Sequence, residues 1–320
     1  MVRRALLLAM LAACGKFEDP AVVVDLRPIA IRADVPEQVV DIDAQSTAAQ
    51  VLAQLVDTHV CVLVSDLNFE RRIRWSAEVC NLTGADRCDH GNPYETLGSG
   101  VWDDPDVSPA PCLTIPADGN LIGILYDELQ NDTLHGLGGE YFGISLLLGG
   151  EGADPALDQY AAKSMLVSPR IPADRTPNQN PTIDHVDSQL DDDGNTFTLP
   201  LGRCADQASP LVVKPGQQVR MEPIEPAGAR EVYSVPTIDG MTRTFTEALT
   251  YQWLATAGKF SDSSTGGGHD PFGNLLPVKT EWTAPSAKGL DGPTDVSIWI
   301  VQRDERLGLA WYEACVRVVP

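Results

Sequence analysis

The run from Asp191 to Asn195 holds three aspartates, a glycine and an asparagine, the side chains of this chain that best suit a metal ion. Carboxylate and amide oxygens are the ligands that Ca²⁺ prefers, and a glycine permits the turn that brings them together. The run lacks the full spacing and the terminal Glu of an EF-hand, and an Asp-Gly hairpin turn explains it without metal. Asp191, Asp193 and Asn195 are therefore candidate calcium ligands beside that alternative, and we expect no other cofactor.

A second run, Thr265 to Asp270, combines three glycines with His269 and Asp270, two side chains that could bind a ligand or move a proton. A phosphate-binding loop would lie between a strand and a helix and would continue with Lys and Ser or Thr, which this run does not. The sequence favours an ordinary loop between two strands.

The remaining residues show no arrangement typical of an enzyme. The histidines at 59, 90, 135, 185 and 269 are scattered, without the His-Glu-x-x-His spacing of zinc hydrolases. The Gly-x-Ser-x-Gly elbow of acyl-transfer enzymes does not occur either. His59 lies in an apolar stretch, where a hydrogen-bonded core histidine is expected instead of a base. We therefore predict no catalytic residues.

The first residues predict export and lipid attachment. Two arginines precede an apolar stretch from Ala5 to Leu11, which is too short to span a bilayer and is typical of a signal peptide. The run Leu11-Ala12-Ala13-Cys14 resembles the lipobox of bacterial lipoproteins. That resemblance implies removal of residues 1–13 and diacylation of Cys14, which then begins the mature chain.

Lipid on Cys14 would anchor the protein to a membrane, with residues 14–20 as a tether, because each buried methylene contributes about 0.8 kcal/mol. Loss of residues 1–13 leaves 21 basic against 45 acidic residues, a net charge of −24. Such a charge repels nucleic acid and disfavours adsorption to anionic lipid, so the tether must supply the attachment. We expect a location in the cell envelope, at the outer membrane, on its periplasmic or its surface face.

An even number of further cysteines in an exported chain predicts disulfides. They are Cys61, Cys80, Cys88, Cys112, Cys204 and Cys315. The first four group in the N-terminal half, so we expect two bridges there and a third between Cys204 and Cys315. Cys80 is expected to tie its strand to a neighbour across a sandwich, and Cys88 and Cys112 to brace a long loop at 81–111. Fifteen pairings are possible, and the lack of Cys-x-x-Cys spacing argues against a metal site.

Frequent Pro and Gly with short apolar runs predict a mainly β fold of two sandwich domains, at 21–177 and 178–320. A short helix is predicted over 121–134, and the segment 157–167 suits either a helix or a strand. A proline-rich stretch at 169–181 marks the boundary. The predicted strands of the first domain are 22–31, 53–64 (buried on both faces), 71–79 (buried on one face) and 141–148.

In the second half, strands with a tryptophan recur at 249–253, 280–285 and 296–301, after a Val-Lys-Pro-Gly-Gln turn at 213–217. These runs resemble the immunoglobulin-like and PKD-like sandwich modules of bacterial surface proteins. The resemblance implies tryptophans packed between two sheets. The chain departs from PKD modules in lacking their Trp-Asp-Phe-Gly-Asp run.

We expect a non-enzymatic envelope lipoprotein with a structural, adhesive or partner-binding role, whose partner is a surface protein or a glycan. Loops at the sandwich ends would bind it, at 81–111 and 261–276, because rigid sheets position variable loops. One alternative is a carbohydrate-active or other surface hydrolase with a site near Trp102. Another is a solute-binding lipoprotein, against which the lack of alternating βαβ units argues.

Overall fold

The structure, a computed structural model, describes residues 19–42, 45–66, 71–82, 87–103, 112–191, 194–288 and 290–320. Two predicted site residues, Cys14 and Asp193, lie outside the described residues. Within them the chain forms two β-sandwich domains joined by a linker at 170–184. In this part of the chain no helix has the length and apolarity needed to span a membrane. The predicted mainly β fold is confirmed.

The N-terminal domain packs a three-stranded sheet, ordered β1-β3-β6, against a five-stranded sheet, ordered β2-β8-β7-β4-β5. Within the second sheet β2 runs parallel to β8. The strands and helices are β1 (Arg27–Ala33), β2 (Glu37–Val40), α1 (Ala48–Leu52), β3 (Thr58–Ser65), β4 (Ile73–Cys80), β5 (Tyr94–Trp102), β6 (Cys112–Ile115), α2 (Gly119–Asn131), β7 (Glu140–Gly150) and β8 (Gln159–Pro169).

Alternating apolar side chains fill the space between these two sheets. In β4, Ile73, Ala77 and Val79 are buried, while the charged residues between them stay partly exposed, so the predicted half-buried strand is confirmed. The predicted helix is also found, as α2, which packs on β7 and β5 and buries Leu121 and Ile124. This α-helix has no counterpart among the described residues of the C-terminal domain.

The C-terminal domain packs two five-stranded sheets, ordered β10-β9-β12-β18-β16 and β11-β20-β19-β15-β17. A separate hairpin, β13 with β14, forms a two-stranded sheet of its own. The strands are β9 (His185–Leu190), β10 (Thr196–Thr198), β11 (Leu211–Val213), β12 (Gln218–Ile224), β13 (Val232–Pro236), β14 (Thr242–Thr246), β15 (Leu249–Ala255), β16 (Lys259–Phe260), β17 (Ser264–Gly267), β18 (Thr280–Thr283), β19 (Thr294–Arg303) and β20 (Leu309–Val318).

Both domains repeat one strand order. In each domain the first strand lies in one sheet. A later short strand lies in the other sheet and runs parallel to the last strand of the domain: β2 pairs with β8, and β11 pairs with β20. Trp253 of β15 and Trp282 of β18 are fully buried between the sheets of the C-terminal domain. A core tryptophan such as Trp253 and this division of strands between two sheets are features of immunoglobulin-like sandwiches, so the predicted fold class holds for both domains.

The domains meet through a third apolar cluster. In β19, Ile298 and Ile300 belong to the C-terminal core, while Trp299 and Val301 on the opposite face pack into the cluster with Ile29 of β1. A strand covered on both faces has no polar side, which explains the continuous apolar run of β19. The outer face of one sheet therefore packs against the other domain.

Three disulfides join the six predicted cysteines, two in the N-terminal domain and one in the C-terminal domain. They are Cys61–Cys112, Cys80–Cys88 and Cys204–Cys315. The expected tie across the sandwich is wrong, because Cys80 bonds to Cys88 within the connection from β4 to β5. Cys112 joins the neighbouring strand β3 of its own sheet, so Cys88 and Cys112 brace two separate places.

Two predicted segments of the N-terminal domain are wrong in detail. Residues 53–57 precede β3, and β3 buries alternate residues only, which leaves His59 exposed beside Asp34 and not in the core. The expected long loop contains the strand β5, because its glycines make room for a ring: Cβ atoms at Gly98 and Gly100 would lie 3.5 and 3.3 Å from the Trp75 side chain. Glycine in a strand thus marks close packing here.

Three further segments differ from the prediction, or have a secondary structure that the sequence left open. The ambiguous segment 157–167 is mostly strand, within β8. The glycine run beginning at Thr265 is partly strand, since β17 pairs with the edge of β15. Residues 21 and 22 pack on the C-terminal domain, since Val22 forms a parallel bridge to Ala255 and Ala21 belongs to the C-terminal core, while Val23 lies with Ile29 in the cluster between the domains.

Candidate functional site

The junction between the domains is built around the buried carboxylate of Glu37, which is 1% exposed. Arg175 of the linker and Arg306 of the turn between β19 and β20 each approach one of its oxygens, at 2.7 and 2.6 Å. Ser168 Oγ donates at 2.5 Å and the Asn178 backbone N–H at 2.8 Å. Residues from both domains and from the linker are thereby joined at one group.

Burial alone would raise the pKa of Glu37, but the hydrogen bond from Ser168 and the charges of Arg175 and Arg306 outweigh it and lower the pKa. The carboxylate is therefore ionised at neutral pH. A buried charge of this kind is tolerable only when its partners are in place.

The linker asparagines complete the junction. Asn178 Nδ2 donates to Asp304 Oδ2 at 3.1 Å and to the Arg306 carbonyl at 2.8 Å. Asn180 spans the domains, since its Nδ2 donates to the Ala33 carbonyl at 2.7 Å and its Oδ1 accepts from the Leu309 N–H at 2.8 Å. The linker therefore holds the two domains in one fixed arrangement through its side chains.

A hairpin arm, defined as Val232–Thr246, projects beside this junction. Tyr233 anchors it: the ring stacks on Phe245 at 5.7 Å, the hydroxyl donates to Glu305 at 2.7 Å, and the Arg306 guanidinium lies 4.6 Å from the ring centroid. The arm then turns at Asp239 and Gly240, the latter with φ of 79°. Its base is fixed to the same turn that reaches Glu37.

The arm exposes apolar side chains at its tip. Ile238 is 85% exposed and Met241 is 66% exposed. Among the described residues no third strand pairs with β13 or β14, so the arm also has free backbone edges. Exposed apolar groups next to unpaired strand edges are features of surfaces that bind other polypeptides.

A junction groove runs between the hairpin arm and the N-terminal domain. An inner cleft of about 250 Å³ and an open outer part of about 640 Å³ share Gly138, Arg175 and Val235 in their walls. Leu134 and Tyr141 are about half exposed on the N-terminal wall. The groove is thus lined by both domains and would be lost if they separated.

Comparison with known proteins gives no family. No protein-family model matches the chain, and no curated protein matches it. Among solved structures it is similar to the two tandem V-type regions of VCBP3, a v-region-containing chitin binding protein, at 9% identity and a TM-score of 0.25, over 91% of this chain and 99% of that one. It is similar to a partial N-terminal region of the enterococcal surface protein, at 9% identity and a TM-score of 0.25, over 95% and 97% of the two chains.

The collagen adhesin from S. aureus is a third such structure, at 8% identity and a TM-score of 0.16, over 91% of this chain and 92% of that one. TM-scores this low carry no weight for function. The assignment of the fold rests on the strand order and the core.

The predicted site residues are spread over the molecule. Asp191 lies in the hairpin turn between β9 and β10, where its two oxygens accept hydrogen bonds from the Gln218 N–H and from Gln217 Nε2. Asn195 follows in the same turn. In the described ranges no cluster of three His, Cys, Asp or Glu residues is arranged to hold a metal ion. These hydrogen bonds fit the hairpin explanation at Asp191, and because Asp193 lies outside the described residues the calcium site stays a prediction.

The other predicted sites are also apart from the junction groove. Asp270 caps a turn by accepting from the Phe272 and Asn274 N–H groups, and Phe272 is 89% exposed, so the loop at 261–276 does present an apolar group. Trp102 lies in the N-terminal core beside Trp75, which does not suit a surface sugar site. Sequence reasoning missed Glu37, its arginines and the hairpin arm.

Proposed function

We propose that this protein is a cell-envelope lipoprotein that binds a partner polypeptide along the junction groove and the hairpin arm. The observation that carries the proposal is the apolar, strand-edged arm held rigidly beside a groove shared by two domains. A preorganised surface suits partner binding better than a flexible loop does, because ordering a loop on binding costs free energy.

The form of the partner follows from the arm. The free edge of a two-stranded sheet can accept an extended segment by backbone hydrogen bonding, while pockets beside it select alternate side chains. Ile238 and Met241 offer the apolar contacts, and Arg243 on the outer groove wall offers a charge for a carboxylate. The proposed partner is therefore an extended protein segment with apolar side chains, and a glycan fits this surface less well.

The anchor is the second part of the proposal. The lipobox-like run ending at Cys14 supports it, and the strongly acidic composition gives the body no other attraction to anionic lipid. Mass spectrometry of the chain extracted from membranes tests it directly. A chain that begins at an acylated Cys14 is expected, and an unacylated chain that retains Met1 would overturn the anchor without bearing on the groove.

The groove is tested by site-specific photo-crosslinking in cells. A photoreactive residue at Ile238 or Leu134 is expected to yield a discrete crosslinked protein, identified by mass spectrometry, whereas one at Phe272 is not. Because all three side chains are exposed, the positions are matched for access. Crosslinking from Phe272 alone would place binding at the loop 261–276 instead.

The double variant Ile238→Asp with Met241→Asp is then measured against the identified partner. It is expected to weaken binding at least tenfold while leaving the unfolding transition unchanged, because both side chains are in solvent. Phe272→Asp is the control, with affinity retained. Equal affinity of the double variant and the unaltered protein would refute the role of the arm.

A further inference from the structure

A separate cleft of about 410 Å³ lies within the N-terminal domain, between the two helices and the edge where β2 meets β8. Its walls are mostly apolar, with Val51 from α1, Ile122 and Leu125 from α2, and Val40 and Val167 from the sheet. The volume falls within the range of small-molecule sites. This cleft is lined by one domain only and is not part of the junction groove.

Among the described residues, one acidic side chain lines this apolar space. Glu140, the first residue of β7, lines the cleft, and its Oε1 is buried without a hydrogen-bond partner. Buried polar atoms in native proteins nearly always have a partner, so this oxygen is an acceptor in the cleft wall that a bound donor could satisfy.

The surrounding charges favour a positively charged donor at Glu140. Burial, and then the charges of Asp132 and Glu128, raise the pKa of Glu140 to about 7. Asp132 itself is engaged, because it accepts from the Leu134 and Gly136 backbone N–H groups at 3.0 and 2.6 Å. Glu140 is therefore the carboxyl group in this wall that remains available for a ligand.

We propose that this cleft binds an apolar organic cation, whose ammonium group pairs with Glu140 and whose hydrocarbon part lies against the walls from α1, α2 and β8. A neutral apolar molecule would leave Glu140 unpaired, and an anion would be repelled by Glu140 and by the nearby charges of Asp132 and Glu128. An ammonium supplies N–H donors together with the opposite charge, which makes the hydrogen bond stronger than a neutral one.

The proposal has a proton-linked signature. The cation binds the ionised carboxyl group, so a Glu140 that is protonated below pH 7 must release its proton on binding. Tyr126 of α2 and His135 also line the cleft, and the charges of Glu128 and Asp132 act on Glu140. His135 also lines the cleft, so its contribution is tested with a separate variant.

The probes are n-octylammonium, 1-octanol and octanoate, titrated into the full chain by calorimetry between pH 5.5 and 8.5. Octylammonium is expected to bind with an affinity that rises about tenfold per pH unit below pH 7 and levels off above it. Octanol is expected to bind more weakly without pH dependence, and octanoate not to bind. Equal affinities for octylammonium and octanol, or no binding of any probe, would overturn the proposal.

Two variants locate the effect. Glu140→Gln keeps the shape but not the charge, and it is expected to abolish both the pH dependence and the preference for octylammonium over octanol. His135→Asn is the control that keeps them, since asparagine tolerates the positive φ of 53° at this position. A pH dependence that survives in Glu140→Gln and disappears in His135→Asn would reassign the effect and refute the role of Glu140.

Ala48→Trp tests the location with a residue at the exposed start of α1 that lines the cleft. The indole would fill the space, so all probe binding is expected to be lost while the unfolding midpoint is retained. Octylammonium binding that persists in this variant would place the ligand elsewhere and overturn the proposal.

Discussion

Replacement of Glu37 by glutamine tests whether the junction holds the two domains together. The change removes one negative charge from a carboxylate that is 1% exposed and that contacts Arg175 and Arg306. Removing one partner from a buried ion pair costs about 3–5 kcal/mol, because the charges left behind are unpaired. Glutamine keeps an acceptor oxygen, so a loss of about 3 kcal/mol is expected, roughly a hundredfold change in the folding equilibrium.

The assay is urea unfolding followed by the fluorescence of the six tryptophans, Trp299 at the interface among them, together with far-ultraviolet circular dichroism. The matched control is Asp41→Asn, which breaks the ion pair with Arg170 at 2.6 Å, where Asp41 is 69% exposed. That exposed pair is expected to contribute under about 1 kcal/mol. If Glu37→Gln and Asp41→Asn lowered the free energy of unfolding by similarly small amounts, this would refute the idea that burial makes the Glu37 carboxylate important for stability.

The pH dependence gives the sign of the effect. The pKa of Glu37 in the folded protein lies below its ordinary value of 4.5, so its contribution is fully present above that pH. As the pH falls through the folded pKa, the carboxylate takes up a proton and the contribution is lost. The stability difference between the unaltered protein and Glu37→Gln should therefore narrow in acid, and a constant difference from pH 7 to pH 3 would contradict this reasoning.

Two further predictions concern stability. The disulfide Cys204–Cys315 spans 111 residues and Cys80–Cys88 spans 8. Because loop-closure entropy grows with loop length, removal of the first should lower the free energy of unfolding by about 2 kcal/mol more than removal of the second. Equal losses in the two double-serine variants would contradict this. Burial lowers the pKa of Lys163 to about 8. Below pH 8 this lysine is charged in the folded protein, and burying the charge lowers the free energy of unfolding. Between pH 8 and 10.5 the folded protein has released the proton while the unfolded chain still holds it, so the free energy of unfolding relative to Lys163→Met should rise by on the order of 3 kcal/mol. A flat profile in denaturant titrations would refute this.

Much of the fold could be predicted because local patterns encode it. The alternation in β4 reports a strand with one buried face, and the tryptophans of β15 and β18 report a core between two sheets. Where local patterns misled, a tertiary contact was the reason. The glycines of β5 resemble a loop until the Trp75 ring against them is known, and the continuous run of β19 is explained only by the second domain.

The candidate site was harder to predict, because its residues are far apart in the chain. Glu37 and Arg306 are 269 residues apart, and neither stands in a sequence pattern that indicates a site. The hairpin arm did carry a signal, since Asp239-Gly240 is a dipeptide typical of tight hairpin turns. Glu140 had none, because an orphaned oxygen is a property of packing and not of composition.

The pairing of residues 21–23 with the C-terminal domain has a mechanical consequence. Val23 N–H donates to the Ala255 carbonyl at 2.8 Å, and Ala255 N–H donates to the Ala21 carbonyl at 2.9 Å. A pull applied through a lipid on Cys14 would therefore load strand β15 before it reached β1. The C-terminal domain would therefore be loaded first, and the N-terminal domain would carry no load until these two hydrogen bonds had broken.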